Sequence, residues 1–193
     1  METSAANEER IIQERARKSL LWVAMVSMVM VFGGLTSAYE VRMEKGDWLD
    51  FELPRLFYIS TAIIILSSVT MNWALSAVKK NDLKNLKRAT YFTLLLGISF
   101  IICQVNAWET LYSQNVVFAG NQSNAAGSFL YILTGLHLVH LVGGILALMV
   151  VWVKSLKEKY NSENYIGIKL CAIFWHFLDA LWIFLFLFLI FVR

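Results

Sequence analysis

The sequence predicts an all-α fold of the polytopic membrane class, a five-transmembrane-helix bundle, on three observations. Of its 193 residues, 58% are hydrophobic and 16% charged, against roughly 25% charged and about 45–50% apolar in an ordinary soluble domain. The charges leave long gaps: 21 uncharged residues separate Lys18 from Glu40, 23 separate Arg55 from Lys79, and 20 separate Arg88 from Glu109. The chain also holds a single proline and has a mean hydropathy of +0.59. Crossing a hydrocarbon core ~30 Å thick takes about 20 apolar residues at ~1.5 Å rise each. The gaps match that length, which excludes a soluble enzyme, a disulfide scaffold and a disordered tail.

Residues 1–19 form a charged N-terminal segment, and 20–193 a membrane domain. Within the segment, Asn7 to Ser19 reads as a short charged helix with Ile11 and Ile12 on its drier face. A polar lead of 19 residues and a long apolar run exceed the proportions of a signal peptide, so the first span is expected to be retained. The spans are predicted at about 20–37, 56–78, 89–108, 127–153 and 168–192. Each is helical because hydrocarbon offers no partner to a free backbone group. Pro54 stands at the entrance to the second span, where its missing N–H costs little.

Orientation follows from the distribution of Lys and Arg. One side collects thirteen: Arg10, Arg15, Arg17 and Lys18; Lys79, Lys80, Lys84, Lys87 and Arg88; and Lys154, Lys157, Lys159 and Lys169. The other has only Arg42, Lys45, Arg55 and Arg193, with Glu40, Glu44, Asp47, Asp50, Glu52 and Glu109. The N-terminus is therefore expected in the cytoplasm or matrix and the C-terminus outside. Asn-Gln-Ser at 121–123 matches a glycosylation acceptor, by itself weak evidence. Cys103 and Cys171 lie in apolar runs without a C-x-x-C pattern and read as small buried hydrophobes. No basic tract interleaved with aromatics points to nucleic acid. An odd span count without a visible repeat disfavours a small transporter built from equal halves.

Ionisable residues inside spans carry the chemistry, since each costs several kcal/mol unless paired or wet. All three histidines are there: His137 and His140 in span four, His176 in span five, with Asp179 three residues beyond it. The spacing of three puts His137 and His140 on one face, and His176 and Asp179 on another. Helical rise brings His140 and Asp179 to similar depth, so the two are expected to meet. Haem ligation between histidines of facing helices is one reading; an interhelical hydrogen-bond network is another. Proton relay is a third, although no continuous chain of acids crosses the bilayer, and three histidines without further ligands make a poor zinc site. Glu109, in Asn106-Ala-Trp-Glu109, reads as a carboxylate snorkelling beside an anchoring Trp. Gly33, Gly34, Ser37 and Ala38, and Gly143 with Ala147, offer small surfaces for close helix contact.

The stretches Thr134-Gly-Leu-His137-x-x-His140 with Gly143-Gly144, and Trp175-His176-Phe177-x-Asp179-x-x-Trp182-x-Phe184-x-Phe186, resemble subunit III of the haem–copper terminal oxidases. Phe51-Glu-Leu-Pro54, Ser67-Ser68 and Asn106-Ala-Trp-Glu109 fit its short, five-helix bacterial form. The resemblance covers the chain from span one onward. It implies a non-catalytic subunit of a proton-pumping cytochrome c oxidase in the bacterial plasma membrane, with no redox centre of its own. Haem and copper would sit in partner subunits. Subunit I would be the main contact, with subunit II, other respiratory subunits and bound phospholipid as further partners. By this resemblance His137, His140, His176, Asp179, Trp182, Glu109 and Asn106 form a polar framework and lipid-contacting walls, none of them catalytic. Met28 stands where many members have a Glu in span one, so no mechanism through that carboxylate is expected; Asn106 replaces a Gln. A quinol oxidase subunit III or a nitric oxide reductase accessory protein would share the fold, and a stand-alone bis-His haem protein is the contrasting class.

Overall fold

The computed structural model describes residues 2–46, 48, 52–119 and 124–192, the side chains of 2–7, 9 and 10 excepted. Asp47, Asp50, Phe51, the Asn-Gln-Ser at 121–123, Arg193 and the Arg10 side chain lie outside the described residues. Among the described residues the fold is five helices and no strand: α1 Glu2–Met43, α2 Arg55–Lys79, α3 Leu83–Ser113, α4 Ala125–Leu156 and α5 Ile166–Phe191. All five are long and apolar enough to cross a membrane.

The helices extend past most of the predicted apolar windows because capping chemistry, not hydropathy, sets their ends. Asp82 starts α3 by accepting from the Asn85 backbone N–H at 3.0 Å, and Asn124 starts α4 by accepting from that of Ala126 at 2.9 Å. Pro54 precedes α2 at φ −53°, ψ 140°. At the other ends, α2, α3 and α4 share one termination. Asn81, Asn115 and Glu158 adopt φ of 55°, 61° and 53°, and the next residue's N–H reaches back to the helix: Asp82 to Ala77 O, Val116 to Leu111 O, Lys159 to Lys154 O, at 2.9–3.1 Å. This is the double back-bond that satisfies the last carbonyls of a helix. Asparagine tolerates the left-handed region, whereas glutamate does so at a cost. Glu158 is held there by Lys87, whose Nζ donates to its carboxylate at 2.9 Å.

That ion pair ties the loop after α4 to the first turns of α3. The Lys87 hydrogen bond and charge hold the Glu158 carboxyl below the usual glutamate range; the Asn85 backbone N–H does the same for Asp82. A carboxylate with a depressed folded-state pKa adds stability above its unfolded value, and loses it as pH falls through the folded one. Acidification below about pH 4 is therefore expected to free both loops while the spans persist. Hydrogen exchange should quicken in 79–84 and 157–164 and stay slow in the helix interiors.

In the packing, α2 and α3 pair closely, and α4 and α5 close a ring with them. α1 lies outside, and among the described helices it packs against α4 and α5 alone. Its 42 residues run unbroken, about 63 Å of helix, so the charged segment and the first span are one rod. Two glycines let large side chains into the ring. A Cβ on Gly97 would lie 2.8 Å from the Trp175 ring, and one on Gly144 2.9 Å from Leu178. Gly33, Gly34 and Gly143 behave differently from expectation: a Cβ there meets nothing within 4 Å, because none of this chain's helices lies over them.

Candidate functional site

The interior is stitched by indoles and hydroxyls. Trp182 Nε1 donates to Thr61 Oγ1 and Trp175 Nε1 to Ser67 Oγ, each at 3.0 Å; Ser68 Oγ lies 2.7 Å from His176 Nδ1. These bonds join α5 to α2 in antiparallel register, the residue seven before Trp182 meeting the residue six after Thr61. Between α2 and α3, Thr70 pairs with Thr93 at 2.8 Å and Gln104 Nε2 donates to Ser60 Oγ at 2.9 Å. Between α3 and α4, Trp108 Nε1 donates to Thr134 Oγ1 at 3.0 Å. Most of these hydroxyls also donate to a carbonyl one turn back, as Thr61 does to Phe57 O at 2.7 Å, so each bridges two elements.

The predicted residues fall into three groups. Trp182 is fully buried at the centre of the ring, stacked on Phe57 at 5.8 Å and edge-on to Phe100 at 5.0 Å. His137 is fully buried beside it, 5.2 Å from the Trp182 ring and 6.0 Å from Phe100, with neither ring nitrogen bonded. Asp179, 4% exposed, approaches His176 Nδ1 at 3.9 Å, as the three-residue spacing predicts. Asn106 and Glu109 are exposed on the outside of α3, away from this interior.

The expected His140–Asp179 pair does not form. His140 Nδ1 donates to the carbonyl of Leu136 at 2.7 Å, and its ring lies 5.9 Å from Phe32 of α1. Both Asp179 oxygens lack a hydrogen-bond partner. Rotation about the helix axes sends His140 toward α1 and Asp179 toward His176 and α2. His137 and His140 likewise share a side of α4 only loosely, one facing the ring and the other its outer helix. The three imidazoles thus address three different neighbours. Among the described residues no group of three or more His, Cys, Asp and Glu could hold a metal ion.

A cavity of about 350 Å³ opens between α1, α4 and α5 at the end of the bundle that carries the α4–α5 loop. Leu21, Ala147, Val150, Val151, Leu170 and Phe174 make its walls apolar, and Lys154 stands at its rim. Tyr160 folds in from the α4–α5 loop, where Gly167 leaves room: a Cβ there would meet the Tyr160 hydroxyl at 2.8 Å. Burial, with Cys171 beside it, pushes that hydroxyl's pKa up to about 12. Sequence reading missed this cavity and the partners Ser60, Thr61, Thr93 and Gln104. The available signal was two hydroxyls six residues apart on α2, Thr61 and Ser67, opposite Trp182 and Trp175 seven apart on α5.

The model of the family described as cytochrome c oxidase subunit III matches residues 47–192. Cytochrome c oxidase subunit 3 of Thermostichus vulcanus is 30% identical over 174 residues, 86% of this chain and 82% of that one. The probable cytochrome c oxidase subunit 3 of Nocardia farcinica is 30% identical over 181 residues, 91% of this chain and 86% of the relative. That of Corynebacterium diphtheriae is 30% identical over 173 residues, covering 86% and 82%. These matches do not favour the quinol oxidase, nitric oxide reductase and stand-alone haem readings. With five spanning helices, a hydrogen-bonded ring of four, and matches of this breadth, the chain belongs to the cytochrome c oxidase subunit III family, the third subunit of a haem–copper oxidoreductase complex.

Proposed function

We propose that this chain is the non-catalytic, lipid-holding subunit of a proton-pumping cytochrome c oxidase. It docks on the core subunit that carries haem and copper, and lies in a bacterial plasma membrane with its N-terminus in the cytoplasm. The observation that carries the lipid role is the inner cavity. Apolar walls suit an acyl chain, and Lys154 at the rim suits the phosphate above it. The indoles and most of the buried hydroxyls are occupied in joining helices, which supports a supporting body over a reaction centre. The thirteen Lys and Arg residues on the cavity's side support the orientation.

Purification in mild detergent through a tag on this chain tests the assignment. A larger partner with haem and copper absorption should accompany a chain that is itself colourless. Lys154→Glu should lower co-purifying phospholipid about fivefold, since one basic group beside a lipid surface is worth about 1 kcal/mol. Haem bound to the isolated chain and lost in His176→Ala would overturn the proposal.

A further inference from the structure

The loop between α4 and α5 buries a single side chain. From Leu156 to Asn164 every residue is exposed except Tyr160, which is 7% exposed. Among the described residues no backbone hydrogen bond ties 160–164 to a helix. Asn161 Oδ1 instead accepts from the N–H groups of Glu163 and Asn164, at 3.1 and 2.7 Å, closing a turn within the loop. The loop leaves α4 through the left-handed Glu158. Past that residue, the packing of Tyr160 is what holds it down.

The Tyr160 hydroxyl lies over the first turn of α5, where a Cβ on Gly167 would stand 2.8 Å from it. It has no hydrogen-bond partner among the described residues, although a buried tyrosine ordinarily keeps one. The helix end beneath it is open too. Tyr165 gives α5 no side-chain cap, whereas Asp82 and Asn124 cap α3 and α4. Among the described residues nothing accepts from the N–H groups of Ile166, Gly167 and Ile168. Such an end carries partial positive charge and takes an anion. Tyr160, Gly167 and Lys154 line the same apolar-walled cavity, so a hydroxyl, a helix end and an ammonium converge at one end of it. Close by, Lys18 and Lys169 line a polar pocket with Glu14 and Glu163, two charges of each sign that cancel and leave Lys154 in excess.

We infer that Tyr160 is a latch: its hydroxyl bonds the phosphodiester of a phospholipid seated at this end of the cavity, and so fastens the α4–α5 loop over it. The lipid supplies the acceptor that the hydroxyl lacks, and the anion that the start of α5 favours. Its acyl chain lies along the apolar walls. Occupancy and loop closure therefore strengthen each other, as linkage requires. The inference rests on the lipid reading above for the acyl chain, and on the open donors for the latch.

Hydrogen exchange in the whole complex, first delipidated and then resupplied with dioleoylphosphatidylglycerol to saturation, tests it. The lipid is expected to slow exchange in residues 159–168 about threefold to tenfold, the scale of one net hydrogen bond. Tyr160→Phe keeps the ring over Gly167 and removes only the hydroxyl, so in that variant the slowing in 159–164 should vanish. Inorganic phosphate alone, with no acyl chain to seat, should slow nothing. Bound phospholipid that leaves the loop's exchange unchanged, or slows it equally in Tyr160→Phe, would overturn the latch and leave the lipid reading intact. Slowing by inorganic phosphate as large as that by the lipid would overturn the phospholipid as occupant. An unmodified chain that retains no phospholipid at all would overturn the latch and the lipid reading together.

Discussion

Trp182→Ala is expected to cost about 3–5 kcal/mol of bundle stability, the range for truncating a buried aromatic to alanine. The residue is fully buried and touches all three ring helices beyond its own: Phe57 and Thr61 on α2, Phe100 on α3, His137 on α4. Its removal opens a void at the point where they converge, and lipid cannot enter to fill it. Trp182→Phe separates the two contributions. The ring contacts persist, and Thr61 keeps its own bond to Phe57 O, so only the indole bond is lost, at about 0.6–1.7 kcal/mol. Reversible unfolding in mixed micelles reads both. Equal losses for the two variants would show that the hydrogen bond, not packing, holds the centre.

Overpacking should be comparably damaging at Gly97. A Cβ added there falls 2.8 Å from the Trp175 ring and 3.1 Å from its neighbouring carbon. Trp175 has no freedom to yield, being fully buried and pinned through its N–H to Ser67. Gly97→Ala is expected to destabilise by about 1–3 kcal/mol, and Gly97→Leu by more. Gly33→Ala, on the open face of α1, should stay within about 0.5 kcal/mol of the parent. Thermal melts of the three variants in one detergent check the order, and a Gly97→Ala protein as stable as Gly33→Ala would refute the packing argument.

How much of this was legible beforehand depended on the range of the interaction. Spans follow from a local property, the absence of charge over about 20 residues, and all five were readable. Spacing along one helix is local too, so His176 and Asp179 were correctly brought together. Contacts between helices need rotation about each axis, which depth alone does not fix. That is why His140 was matched with Asp179, although it turns to Leu136 and Phe32. Glycine showed the same limit. The pairs at 33–34 and 143 had the right spacing for close contact but face open space, while Gly97, with no such pattern around it, receives a tryptophan. The hydroxyl partners on α2 were hidden because a serine in a span reads alike whether it bonds its own backbone or a distant indole. Asn106 and Glu109, which the resemblance assigns to a polar framework and lipid-contacting walls, are exposed on α3.

The position of α1 outside the ring bears on the order of assembly. Its only neighbours among the described helices, α4 and α5, are made last. With roughly eighty residues between Met43 and Ala125, translated at about 5–20 per second, the first helix waits in the bilayer on the order of 4–16 s before any surface exists to receive it. During that interval α2 and α3 already have each other, and α1 has only lipid. Of the five helices, the one made before the others is the last to find its seat.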